Sequence, residues 1–290
     1  MTQIAFLGTG LLGAAFVEAA LGRGDAVTVW NRTASKAQAL RSFGASFAAT
    51  PADAVRGAER VHLVLRDDEA VDEVIAALSP GLEPGAVILD HSTNAPDQTA
   101  ARVERLRAEG VPYLHCPVFI GPAAARAGKG IILAAGPKPL FEQVRPALER
   151  QADRVEYLGE DGGRAAIYKL AGNAYVVGIA ALVADVFAVA AGGGIAPQEI
   201  LALFDWFDAS RVVKGRGALM ARGDFTPSFE LTMARKDVGL MLEASGGAPM
   251  AVLAGLAARM DELIAKGHGA EDFGVLARGS VAANASPVKE

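Results

Sequence analysis

The sequence predicts an α/β protein: an N-terminal doubly wound parallel sheet, an all-helical C-terminal domain, and a long interdomain helix joining them. Three observations predict it. From residue 3 to about 160, short apolar runs alternate with segments of helical period, the pattern of parallel βαβ units under right-handed crossovers. After about 160 the strand signals stop, and every remaining periodic segment is helical. Between the two lies residues 163–191, an apolar helix of about 29 residues and roughly 43 Å, longer than a small domain is wide and so expected to span an interface. The domains are placed at 1–161 and 162–290.

Taken in order, the strand candidates are 4–7, 26–30, 61–65, 86–89, 112–114 and 130–134, with helical segments such as 12–22, 36–43, 68–78 and 96–109 between them. The second half reads as helices at 163–191, 198–207, 210–222, 228–245, 249–266 and 271–279, with Gly, Pro or Asp in most gaps. No internal repeat or low-complexity linker interrupts the chain.

A chain of 290 residues, 51% of them hydrophobic, can bury two cores and is not disordered. A net charge of −5 argues against a nucleic-acid surface. The single cysteine, Cys116, excludes a disulfide framework and points to a reducing compartment, the cytoplasm. The N-terminus has no basic region or cleavage signal of a secretory leader. Residues 174–196 are the one membrane-span candidate, but they contain Asp185 and end in Gly192-Gly193-Gly194. A helix apolar all round lies either in a membrane or deep in a protein, and with a single such segment burial is the expectation.

Gly8-Thr9-Gly10-Leu11-Leu12-Gly13 follows the first strand and opens the first helix. In such a turn the first glycine bends the chain, the second admits a pyrophosphate, and the third packs helix on strand. The helix N-terminus then supplies N–H groups to the phosphates. The second strand ends in Trp30-Asn31-Arg32-Thr33, with Lys36 beyond. An NAD site usually has a carboxylate there for the ribose 2′-OH. Here an arginine, a hydroxyl and a lysine stand instead, which fits a 2′-phosphate, so NADPH/NADP is expected over NADH.

In the helical half Lys169, one of only eight lysines, interrupts an apolar run, and Asn173 lies on the same helical face. A partly desolvated lysine suits general acid/base work; the same spacing also fits a lysine that snorkels to water. Lys236-Asp237 alone reads as an ordinary charged helical turn. His62, His91, His115 and His268 have no metal-ligand spacing, so no metal is expected. His115 and Cys116 are adjacent, so on a strand they face opposite ways and do not form a nucleophile pair.

These segments together resemble the β-hydroxyacid dehydrogenases, the 3-hydroxyisobutyrate dehydrogenase and glyoxylate/succinic semialdehyde reductase relatives. The matching residues are Gly8–Gly13, Val27–Thr33, Asp90-His91-Ser92-Thr93, Pro117-Val118, Lys169 with Asn173, Lys236-Asp237, and Gly267–Phe273. The resemblance implies a Rossmann domain, a helical domain, and a homo-oligomer, dimer or tetramer, built on the long helix. It implies Lys169 as catalytic acid/base and Asn173 as substrate contact, with Ser92 and Gly121 also on the substrate side. Thr93 and Lys236 would lie near the nicotinamide. Leu65 and Arg66 match the family's cofactor-contacting turn, although the family usually has proline at the position of Arg66.

One departure stands out. Where the family's substrate loop reads Asp-Ala-Pro-Val-Ser-Gly-Gly, this chain reads His115-Cys116-Pro117-Val118-Phe119-Ile120-Gly121. The serine donor for a substrate carboxylate is gone, and Phe119 and Ile120 are expected to line an apolar site. The reading is an NADPH-dependent oxidoreductase moving hydride between nicotinamide and a small carbonyl or hydroxy compound. Imine reduction stays open, because residues 165–170 and Gly267-His268-Gly269 also look like imine reductases, which usually carry Asp or Tyr at the position of Lys169. A nucleotide-binding scaffold without turnover is the alternative from another class.

Overall fold

The first strand, β1 (Gln3–Leu7), sends Ile4 and Phe6 to one face and Ala5 and Leu7 to the other, and all four are buried. That is the requirement for a strand in the middle of a sheet covered on both sides. In this computed structural model, which describes residues 2–281, β1 is flanked by β2 (Ala26–Trp30), β3 (Ser46–Phe47), β4 (Arg60–Leu63), β5 (Val87–Asp90) and β6 (Tyr113–His115). The order is β3-β2-β1-β4-β5-β6, with every neighbour parallel. The winding reverses between β1 and β4, and a crevice opens there at the carboxyl ends of the strands.

The two faces are covered by α1 (Leu11–Gly22) on one side and by α3 (Pro51–Val55), α4 (Asp68–Leu78) and α5 (Pro96–Ala108) on the other; the short α2 (Ala34–Gln38) follows β2. Phe16 and Ala20 of α1 pack on Phe6 and Val29, while Val71, Ile75 and Leu78 of α4 pack with Leu7 and Leu63. Asp67 caps α4 by accepting from Ala70 N at 3.0 Å. Arg102, whose side chain is 1% exposed, ties α5 to α4 through Asp68 (2.9 Å) and Asp72 (2.8 Å).

Residues 130–134 do not join this sheet, contrary to the sequence reading. They form β8 (Ile131–Ala134) in a second sheet, antiparallel to β7 (Val118–Phe119) and parallel to β9 (Arg154–Tyr157). The segment from β7 to β8 holds only the one-turn α6 (Pro122–Arg126), too little for a parallel crossover, which needs roughly a dozen residues. The helix α7 (Lys138–Glu149) makes the longer return to β9.

The chain divides into two units, Met1–Asn173 and Ala174–Glu290, so the division falls inside the 29-residue α8 (Arg164–Gly192). The second unit contains α9 (Pro197–Ile200), α10 (Leu203–Trp206), α11 (Ser210–Ala221), α12 (Leu231–Ala244) and α13 (Leu253–Leu263). Its core joins Leu231, Ala234 and Val238 of α12 to Leu253, Ala257, Met260 and Leu263 of α13, an i, i+3/i+4 seam on each helix. Asp185 is fully buried and accepts from Ala251 N (2.6 Å), Val252 N (2.9 Å) and Leu253 N (2.8 Å), which cap the start of α13. Burial works to raise the pKa of this carboxyl, but the three N–H donors hold it below the usual carboxylate value.

The expectation that α8 is deeply buried is corrected. Only 11% of its most apolar window is buried, and Tyr175, Val176, Val177 and Ile179 are exposed. A helix apolar on all sides needs cover all round, and within one chain that cover is incomplete. By length and hydropathy alone it is also long enough to cross a membrane.

Candidate active site

Gly8 leaves β1 at φ +99°, and a Cβ there would collide with Val64 O. A Cβ on Gly13 would collide with Gly8 O, so α1 can lie against the strand only without one. Gly10, by contrast, has open space where its Cβ would stand. It precedes α1 without any side-chain cap, so the N–H groups of the first turn are left for another acceptor. The three glycines thus divide bending, access and packing as the motif requires, and a phosphate fits at Gly10.

Around this turn lies a cavity of about 480 Å³ at the switch point. Twelve of the predicted cofactor residues line it: Gly8, Gly10, Leu11, Leu12, Gly13, Asn31, Arg32, Thr33, Lys36, Leu65, Arg66 and Thr93. Asn31 closes the turn rather than facing outward: its Oδ1 accepts from Thr9 N (2.9 Å) and its Nδ2 donates to Thr33 O (3.0 Å). Arg66 pairs with Asp67 at 2.6 Å. Among the described residues neither Arg32 nor Lys36 makes an ion pair; both line the cavity, where Glu73 is the one acidic side chain, and the Arg32 charge helps to lower the pKa of Asp67. Ser92, predicted on the substrate side, lines this same cavity, and its Oγ accepts from Leu65 N at 3.0 Å. Lys236 belongs to the second unit, on α12, where it pairs with Asp237 at 3.0 Å.

At the start of α8, Lys169 Nζ donates to Asn173 Oδ1 at 2.9 Å, the i, i+4 pair expected from the spacing. The Lys169 side chain is partly buried, and burial lowers its pKa. Its ammonium lies 4.4 Å from the centroid of the Phe119 ring. Ile120 does not join them, contrary to the sequence reading: it packs against Gly130 and the core that holds Val118, Ala125 and Ile132, because neighbours on a strand face opposite ways, while Gly121 precedes α6. The structure therefore brings Phe119, Lys169 and Asn173 together.

Residues 3–159 match the family model described as the NAD binding domain of 6-phosphogluconate dehydrogenase. Residues 163–279 match the NAD-binding domain of NADP-dependent 3-hydroxyisobutyrate dehydrogenase. The chain belongs to the 3-hydroxyisobutyrate dehydrogenase-like NAD(P)-binding oxidoreductases. A curated relative, glyoxylate/succinic semialdehyde reductase 1 of Arabidopsis thaliana, is 31% identical over 83% of this chain and 84% of its own. Among solved structures, the Streptomyces aurantiacus imine reductase superposes with TM-score 0.87 at 25% identity, over 97% of this chain and all of that one. The Aspergillus terreus reductive aminase in complex with NADPH, cyclohexanone and allyl amine gives 0.84 at 26% identity, over 95% and 98%.

For a dehydrogenase-like oxidoreductase, the structure adds a buried polar floor that sequence reasoning missed. His91 lines the same cavity, with its Nδ1 at 2.8 Å from Cys116 O and its Nε2 at 2.9 Å from His62 Nδ1. A carbonyl only accepts, so His91 Nδ1 carries the proton, its Nε2 accepts, and His62 Nδ1 donates. Burial pushes both rings below the usual histidine pKa. Beside them Asp90 accepts from Ser92 N (2.9 Å), Asn94 Nδ2 (2.8 Å) and Tyr113 OH (2.7 Å), which fixes the turn carrying Ser92 and Thr93. The only available signal is that His62 falls inside the strand candidate 61–65 and His91 just after the candidate 86–89; no spacing rule connects them.

Proposed function

We propose that this oxidoreductase uses NADPH in preference to NADH and interconverts a small carbonyl compound and its alcohol, with Lys169 as the proton donor and acceptor. The observation that carries this is the Lys169–Asn173 pair: a partly buried ammonium, held at 2.9 Å by an amide oxygen and free of any carboxylate partner among the described residues. Bound nicotinamide supplies hydride in reduction and takes it in oxidation. As hydride reaches a carbonyl carbon, negative charge grows on the oxygen, and Lys169 Nζ delivers a proton there. In the reverse direction the neutral amine takes that proton back, and desolvation brings this form closer to neutral pH.

Arg32 and Lys36 support the choice of NADPH, because they offer cationic donors to a 2′-phosphate where a carboxylate would repel it. Lys236 is assigned to the cofactor by resemblance alone. Phe119 supports a substrate with an apolar flank in place of a second carboxylate, since the serine donor of the family's loop is missing. The buried, unpaired Cys116 fits a reducing, cytoplasmic setting. The exposed apolar side chains of α8, and an apolar cavity of about 570 Å³ lined by Leu182, Val186, Leu203, Phe229 and Met241, support cover by a second copy of the chain.

Imine reduction is the second reading, favoured by the same absence of a carboxylate donor and by the reductive aminase likeness; Lys169 favours the carbonyl. The test is a panel of semialdehydes and ketones, with and without amines, read by NADPH oxidation. Turnover of carbonyls without amine is expected. Turnover only with amine present overturns the carbonyl reading, and bound NADPH with no turnover on either set makes the protein a scaffold.

A further inference from the structure

The geometry points to Phe119 as the positioning residue for Lys169: its ring is a platform, set into a notch left by Gly172, that holds the ammonium in place. This deepens the reading above and rests on Lys169 being the proton carrier.

Three observations converge. β7 delivers Phe119 opposite Ile131, with the ring packed against Leu133, Ala135 and Ala165 and so fixed on its own strand. The Lys169 ammonium stands 4.4 Å from the ring centroid, within cation–π range. On α8 the residue three positions on is Gly172, where a Cβ would collide with Phe119 Cζ and lie 2.6 Å from Cε1. Lys169, Gly172 and Asn173 thus form one i, i+3, i+4 face wrapped around the ring.

An ammonium has three N–H groups in a tetrahedral array. One is taken by Asn173 Oδ1. The π face attracts the cation without accepting in any single direction, so it fixes Nζ while leaving a proton available for the reacting oxygen. A serine hydroxyl at position 119 would bind a substrate carboxylate; the ring offers no such donor and instead restrains the lysine. The platform therefore couples two properties: the aim of Nζ, and tolerance for substrates without a carboxylate at this wall.

The test uses the holoenzyme with NADP bound and compares Phe119→Leu, Phe119→Tyr and Gly172→Ala. The direct readout is the NMR signal of the Lys169 Cε protons, which the ring should displace, together with the titration of that signal. Removing the π face destabilises the ammonium, so Phe119→Leu should abolish the displacement and lower the lysine pKa by about half to one and a half pH units. In reduction, activity falls as pH rises through this pKa, so the falling limb of kcat should move to lower pH and kcat should drop about 2- to 30-fold, with KM for NADPH unmoved. Phe119→Tyr keeps the ring and should retain both displacement and limb. Gly172→Ala, which drives a methyl into the ring, should behave as Phe119→Leu does. A Phe119→Leu protein with unaltered Lys169 signal and pH profile overturns the platform. Failure of the underlying reading looks different: Lys169→Ala keeps turnover, while the effect of Phe119→Leu on the lysine signal persists.

Discussion

Asn31 occupies the position where an NAD site would have its carboxylate, yet its amide is bonded on both sides, to Thr9 N and Thr33 O. The residues left with charge to offer are Arg32 and Lys36, and Arg32 has the planar fork that suits a phosphate. A charge-assisted contact contributes about 1.5–3 kcal/mol, or roughly 10- to 150-fold in affinity. Arg32→Ala should therefore erase most of the NADPH advantage and leave the NADH dissociation constant nearly unchanged; calorimetric titration with both cofactors checks this, and equal affinities in the unaltered protein would contradict it. At Phe119 the relevant quantity is a ratio. Replacing it by Ser should raise kcat/KM for a short β-hydroxy acid or semialdehyde, relative to an uncharged carbonyl, by about tenfold or more. An unchanged ratio means that this loop does not read the carboxylate.

At the scale of elements, Asp185 has a function opposite to its first appearance. In the sequence it was a charge spoiling a membrane span; in the structure its carboxylate caps α13 through three backbone N–H groups. Asp185→Ala would leave those donors without an acceptor and should cost about 1–3 kcal/mol, seen as a lower urea midpoint. The buried His62, His91 and His115 make stability depend on pH. Their folded pKa values are depressed, so below about 6.5 the unfolded chain takes up protons that the native state refuses, and stability falls as pH falls. Each such group contributes about 1.4 kcal/mol per pH unit until its folded pKa is reached. Urea midpoints between about pH 7 and 5 should drop accordingly; a flat profile would place charge on these rings in the native state. The elements that the sequence hid are those with too few residues to show a period. Ser46–Phe47 and Val118–Phe119 are two-residue strands, and 198–207 breaks into α9 and α10. The stretch 36–43 likewise divides between α2 and a 3-10 turn at Ala39–Phe43.

Across the whole molecule, what was legible depended on contiguity. The glycine turn, the parallel strands of the first sheet and the long α8 are each written in neighbouring residues; the strand order, and the placement of 130–134 in a second sheet, are not. The meeting of Phe119 with Lys169, the His62–His91 pair and the capping of α13 join distant segments, which no local pattern encodes. The surroundings of α8 are not legible either, because a pattern shows that a helix needs cover but not what provides it. A second copy should provide it, so sedimentation should report a dimer or larger at micromolar concentration, and Val177→Glu, at a site 66% exposed in the single chain, should lower that mass. A monomer at all concentrations would contradict this. Whether Lys169 carries the proton is decided by a single-turnover measurement of Lys169→Ala with saturating NADPH on the best carbonyl substrate. The rate should fall about 10²–10⁴-fold with NADPH affinity unchanged, and Lys169→Arg should not restore it, since guanidinium holds its proton. A Lys169→Ala protein that turns over at the unaltered rate would remove the lysine from the chemistry.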